Sequence, residues 1–163
     1  MRFVNMQNAK KDGVIAMKFE LFSQNNASDD AAQLMLLNDE AEELGLGLTP
    51  EEAQMLAQAG RDSMNEQDRV VFGESALTKL AKKFMHSSYI SREIYAQTLA
   101  ELIDIFCAAK EESYDILSDE EVIDVMYDFF ENSCGGSTEL LGGRDMEILC
   151  RKIRMMASGI VED

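Results

Sequence analysis

The sequence predicts a mainly α protein, a single bundle of about six helices, and three observations carry that prediction. Apolar side chains recur at steps of three and four almost without interruption from Ser75 onward, the spacing that lines one face of an α-helix. Helix start and stop signals fall at the ends of those runs. There is one proline in 163 residues, and it stands where a helix would begin, so nothing in the later chain breaks a helix by removing an amide donor.

In chain order, "SDDAAQLMLLNDEAEELGLG" over 28–47 offers Ser28 as a cap, aspartates in the first turn, apolar Leu34, Leu37 and Leu44, and Gly45 and Gly47 as stops. Thr49, Pro50, Glu51 and Glu52 then place an N-cap, a proline at the first helical position and acids on the positive end of the helix dipole. Residues 64–74, "MNEQDRVVFGE", interrupt the helical pattern. A short two-stranded ribbon is expected between 69–73 and 15–22, where Ile15, Met17, Phe19 and Leu21 alternate with smaller or charged residues. Such a ribbon is marginal alone and needs a helix beneath it.

"SALTKLAKKFMHS" from Ser75 carries Leu77, Leu80 and Phe84 at helical spacing, and the long run from Ser91 repeats Tyr95, Leu99, Leu102, Phe106 and Ala109. That seam lasts about two heptads, short of the ~3–4 that define a coiled coil, and is read as a core face. "SDEEVIDVMYDFFENSCGG" opens with Ser118 and Glu121 in capping-box order and closes on Gly135. Val122, Val125, Met126 and Phe129 form one apolar row and Ile123, Tyr127 and Phe130 another, which predicts the central helix of the bundle. Its narrow polar stripe is acidic throughout: Glu121, Asp124, Asp128 and Glu131. No basic residue lies between Lys110 and Arg144, so the stripe faces water or meets cations from elsewhere, with Arg151, Lys152 and Arg154 the nearest downstream.

Charge narrows the function. With 31 acidic against 15 basic residues the formal charge is −16, a field that opposes DNA, RNA and anionic membrane surfaces and favours encounter with a basic protein, a polyamine or a metal cation. Cys107, Cys134 and Cys150 are odd in number and widely spaced, which speaks against a disulfide framework and for a reducing, cytoplasmic setting. No apolar run approaches the ~18 residues of a membrane span.

The stretch "CGGSTELLGGRD", Cys134 to Asp145, is the one that resembles a chemical motif. A P-loop requires lysine after its last glycine; here Gly142 is followed by Gly143 and Arg144. An EF-hand loop begun at Glu131 would put Gly142 where a bidentate glutamate is needed. Helix punctuation fits better: Gly135 ends one helix in a left-handed conformation, Ser137 caps the next, and Gly142 and Gly143 mark a close crossing or a local break. The runner-up is an anion site at that helix N-terminus beside Arg144.

Other constellations are thin. His86 is the single histidine, which excludes sites needing two imidazoles. No GxSxG elbow supports a serine triad. Three dispersed cysteines with His86 lack zinc-ligand spacing, and Cys134 falls at a helix C-terminus, where the dipole raises rather than lowers a thiol pKa. No catalytic, cofactor-binding or metal residue is therefore assigned.

Five segments, "LTPEEA" at 48–53, "RVVFG" at 69–73, "YAQTLAEL" at 95–102, "LSDEE" at 117–121 and "GSTELLGG" at 136–143, together resemble a family of uncharacterised bacterial proteins known only as a domain of unknown function. The resemblance covers Met17 to about Arg154, and departs from the family at Glu74, Ser75 and Ala76, where relatives carry more glycines. It implies no activity, cofactor or site. It does imply that "MKFELF" is a natural start, so residues 1–16 are expected to be a disordered upstream extension and 17–163 one helical domain.

The functional expectation is a cytoplasmic helical binding or regulatory module whose acidic surface, Glu121, Asp124, Asp128 and Glu131, meets a basic protein partner, with no nucleic acid and no membrane. One alternative is an enzyme subunit or small-molecule binder with a pocket between helices, onto which Tyr95, Tyr114, Tyr127 and His86 would converge. Another is an acidic mimic of nucleic acid.

Overall fold

The computed structural model describes residues 29–66 and 75–159, and all regular structure among them is helical. The predicted ribbon over 15–22 and 69–73 and the predicted extension over 1–16 lie outside the described residues.

The first predicted helix is divided. Helical residues 29–36 (α1) and Asn38–Glu43 (α2) are separated at Leu37, whose N–H is shared between the carbonyls of Gln33 and Leu34 at 3.4 and 3.2 Å. Asn38 then uses its side chain on a tertiary contact, Oδ1 accepting from the N–H of Leu48 at 2.8 Å, which folds the glycine-bearing turn back so that Leu46 and Leu48 are buried. From α1, the buried Asp30 accepts a forked pair of hydrogen bonds from Arg61 at 2.7 and 3.0 Å. Burial raises the Asp30 pKa, and the guanidinium pulls it part of the way back.

The helix at the proline, Pro50–Glu66 (α3), begins with a reciprocal cap: Thr49 Oγ1 accepts from the N–H of Glu52, and Glu52 Oε1 accepts from the N–H of Thr49. Its buried residues Ala53, Leu56, Ala57 and Met64 follow the three-and-four spacing of a single face. Ser75 caps Ala76–Phe84 (α4) by accepting from the N–H of Thr78, and Gln33 Oε1 of α1 accepts from both the Ser75 amide and the Thr78 hydroxyl. A 3-10 turn over Arg92–Ile94 leads into Tyr95–Glu112 (α5).

The central helix is α5, not the one predicted for that place. It packs on α3 and α4 and on all three helices that follow: Asp119–Asn132 (α6), Thr138–Leu141 (α7) and Arg144–Ala157 (α8). Tyr95, Leu99, Leu102, Ile103 and Phe106 are essentially inaccessible to solvent. By contrast α6 packs on α4, α5 and α7, and both of its apolar rows are only partly covered, the first at Val125 and Phe129 and the second at Tyr127. Two apolar rows show that a helix has neighbours on two sides; they do not distinguish one with three neighbours, as here, from one ringed by five.

Between α5 and α6 the chain reverses through Tyr114 and Asp115, both with left-handed backbone (φ 55° and 58°), a conformation that disfavours non-glycine residues. The buried Lys110 holds this turn. Its Nζ donates to the carbonyl of Leu117 at 2.7 Å and pairs with Asp119 at 2.9 Å and Asp115 at 3.6 Å. Taking one ammonium out of water is tolerable because three oxygens replace its hydration.

Candidate functional site

The acidic stripe of α6 begins in its cap. Ser118 Oγ accepts from the N–H of Glu121, and the Glu121 carboxylate accepts from the N–H of Ser118 at 2.9 Å, so Glu121 fastens the helix start. One turn on, Asp124 is 66% exposed and meets Lys83 of α4 at 3.2 Å, while neighbouring Glu120 meets Lys79 of α4 at 2.8 Å. The lysine also holds Glu120 below the usual carboxylate pKa. Asp128 is exposed and accepts from the side-chain amide of Asn132 at 2.8 Å. Glu131 departs from the stripe: it is half-buried, and among the described residues its Oε1 has no hydrogen-bond partner. Partial burial, and then the charge of Glu131, raise the pKa of the Tyr127 phenol one turn away.

The cations opposite α6 thus come from α4, upstream in sequence, and not from α8. The reason is topological. The edge of α6 lies along α4, where Phe84 meets Tyr127 and Phe130 edge-on with ring centroids 5.3 Å apart in each pair, and Lys83 lies over the Tyr127 ring at 5.1 Å. Arg154 of α8 is engaged elsewhere, with Glu112 at 3.3 Å and over the Tyr114 ring at 5.0 Å.

The four polar side chains expected to converge on a pocket are dispersed. Tyr95 opens α5 and Tyr114 follows its end, so the 18-residue helix, roughly 27 Å long at 1.5 Å per residue, separates them. Burial of Tyr95 raises its phenol pKa to about 12. His86 is exposed, 3.9 Å from Glu40, and Tyr127 is in the α4–α6 seam. Of the three cysteines, Cys107 and Cys150 are buried and Cys134 partly so. Burial raises the Cys134 and Cys150 thiols, helped by Asp145 and Glu112 respectively. Among the described residues no three histidine, cysteine or acidic side chains are grouped as metal ligands, and no helix is long and apolar enough to cross a membrane.

The glycine-rich stretch is helix punctuation. After α6 the chain turns through Gly135 and Gly136, both left-handed (φ 56° and 82°), with the N–H of Cys134 on the carbonyl of Phe129 and that of Gly136 on Phe130. A Cβ on Gly136 would lie 2.4 Å from Cβ of Tyr89, so only glycine admits that ring. Ser137 caps α7 through the N–H of Leu140. Gly142 and Gly143 then end α7 after one turn, and α8 starts afresh at Arg144. The elbow so made rests on α5: Thr138 Oγ1 donates to Glu101, and a Cβ on Gly142 would touch Ile105 at 3.3 Å.

Beyond that elbow, α8 packs on α5 through small residues and leaves a cleft of about 260 Å³. Ile105, Ala108 and Ala109 of α5 and Met146 and Cys150 of α8 form its apolar lining, with Gly142 beside them. Its three charged lining residues are Asp104, Glu112 and Glu147, all acidic. Asp104 Oδ1 accepts from Ser63 at 2.8 Å. Sequence reasoning missed this cleft. The signal available was the run Asp104, Ala108, Glu112 at intervals of four, acid, small, acid on one helical strip.

The chain belongs to a family of unknown function (DUF6323), whose model matches residues 33–159. No curated protein and no solved structure matches the chain. The expectation of a domain of unknown function, drawn from "LTPEEA", "RVVFG", "YAQTLAEL", "LSDEE" and "GSTELLGG", therefore holds, with the match running over 33–159 rather than from Met17 to about Arg154.

Proposed function

We propose that the chain is a helical binding or regulatory module of the cytoplasm that meets a basic protein partner through its acidic surface. One observation carries the reading: the solvent side of α6 is given over to carboxylates, with Glu121, Asp124 and Asp128 exposed, while Val122, Ile123, Met126 and Phe130 on the same helix are buried. Two α4 lysines offset part of that charge. Surface pairs of this kind contribute little and yield readily to a competing cation. Across the chain 31 acids against 15 bases supply the long-range field that speeds encounter with a basic surface.

The test is calorimetric titration of the full chain with a defined lysine-rich helical peptide at low and high salt. Binding at low salt that weakens with salt, and weakens again in Asp124→Lys with Asp128→Lys, is the expected result. Absence of binding at low salt, or indifference to the double reversal, would overturn the reading. Displacement of DNA from a basic protein by this chain would instead favour the nucleic-acid mimic.

A second reading, a small-molecule site between helices, has the α5–α8 cleft in its favour. Its volume of about 260 Å³, and the about 310 Å³ of a second cleft lined by Gln33, Leu36, Leu37, Thr78 and Lys82, lie near the ~300 Å³ at which sites for drug-sized ligands begin.

A further inference from the structure

We infer that the cleft between α5 and α8 is the anchor point for one long basic side chain, a lysine or arginine, presented by a protein partner; the inference rests on the reading of a basic partner and adds the place where it is gripped. The lining and the rim specify that chemistry together. Ile105, Ala108 and Met146 offer an apolar bed for an aliphatic stem, and Asp104, Glu112 and Glu147 offer carboxylates to the charge it carries. Lysine and arginine are the side chains built this way, with an apolar stem and a cationic tip.

Other occupants fit less well. An acidic side chain would be repelled by all three carboxylates. An uncharged apolar one would strip water from those carboxylates and give nothing back. A basic tip is compatible with the bonds already present: Asp104 gives one oxygen to Ser63 and keeps the other, and the Glu112 contact with Arg154 is a half-exposed pair that a second cation can share. Asp104, Ala108 and Glu112 lie on one strip of α5 about 12 Å long at 1.5 Å per residue, so the tip has a carboxylate whichever way the stem lies. Gly142 and the alanines add little or no side chain to fill the space, and a Cβ on Gly142 would press on the Ile105 side chain at 3.3 Å.

The experiment uses the full chain and an amphipathic helical peptide of leucine and lysine, with an analogue in which norleucine replaces lysine. Ala108→Leu adds bulk to the cleft wall and changes no charge; Asp104→Asn with Glu147→Gln removes charge and keeps the shape. Titration should move the methyl resonances of Ile105 and Met146, and either change should weaken the peptide about tenfold or more, as loss of a central anchor does. The norleucine peptide should bind no better to the parent than to the charge-removed variant. Should Ala108→Leu fold less well, the charge-removed variant and the methyl shifts still decide.

If both cleft variants bind as the parent does while reversal of Asp124 and Asp128 weakens binding, the cleft inference is overturned and the acidic-surface reading stands. If no variant alters binding, both fall. Spermidine that shifts Ile105 and Met146 while the peptide does not would assign the cleft to a free polyamine and overturn the partner side chain.

Discussion

The α4–α6 contact and the α5–α8 contact are built from opposite materials. Along the first, Phe84, Tyr127 and Phe130 interlock edge to face and fill the space between helices, and charges of both signs border it, Lys79 and Lys83 against Glu120 and Asp124. Along the second, alanines, Cys150 and Gly142 leave about 260 Å³ vacant, and the charged residues lining the vacancy are acidic. Large aromatic rings make a seam that is complete in itself. Small residues bring helices together without finishing the surface, and a one-signed rim makes the unfinished part selective for the opposite charge.

The most severe way to break that contrast is Phe84→Ala. Phe84 is fully buried, and losing its ring together with the Tyr127 and Phe130 edges is expected to cost about 3–5 kcal/mol in urea unfolding. A loss under about 1 kcal/mol would mean that the seam is not dry.

Next in size is an alkaline effect at the start of α5. The folded Tyr95 phenol titrates near 12 because burial disfavours the phenolate, whereas an unfolded tyrosine titrates near 10. The folded state therefore holds the proton more tightly. Stability from Tyr95 is complete below pH 10 and falls as pH rises toward 12, by on the order of 2 kcal/mol. Tyr95→Phe should flatten that decline and remove the last component of the phenolate absorbance titration; an unchanged decline would count against the burial of Tyr95.

Of equal or smaller size are the effects at the glycine pair at the end of the aromatic seam. Gly136→Ala meets both a left-handed backbone and Tyr89 at 2.4 Å, while Gly135→Ala meets the backbone penalty alone, with open space around it. Thermal melting should rank Gly136→Ala lower, the first costing about 2 kcal/mol and the second about 1. Equal effects would place the Tyr89 ring elsewhere. Least of all, Ala108→Leu in the cleft should shift stability by no more than about 0.5 kcal/mol, because exposed space is being filled; a core-sized loss would show that the cleft is occupied by the protein itself.

Much of the fold was legible because helix ends are local chemistry. Thr49 with Glu52, Ser75, Ser118 with Glu121, and Ser137 all cap the helices predicted to follow them, and Gly135 takes the left-handed turn assigned to it. The division at Leu37 was not legible, since the leucine pattern runs through it and the Asn38 contact that exploits the turn is with Leu48, ten residues away. The helical spacing places Glu121, Asp124, Asp128 and Glu131 on one stripe but does not show that a Glu131 oxygen turns inward while the other three side chains are exposed. The choice of α6 as the centre failed for a similar reason: a hydrophobic row shows that a face is buried, and not how many helices bury it.

Residue order by itself determined where helices start and stop, which faces are oily and which way the net charge points, because a cap, an i to i+4 spacing and a count of carboxylates need only neighbours along the chain. The folded arrangement alone decided that α5 lies at the centre, that α4 rather than α8 brings lysines to α6, and that Gly142 and two alanines leave a cleft beneath three acids. Those outcomes depend on which side chains fill the space between helices, and that is settled by contacts among residues tens of positions apart.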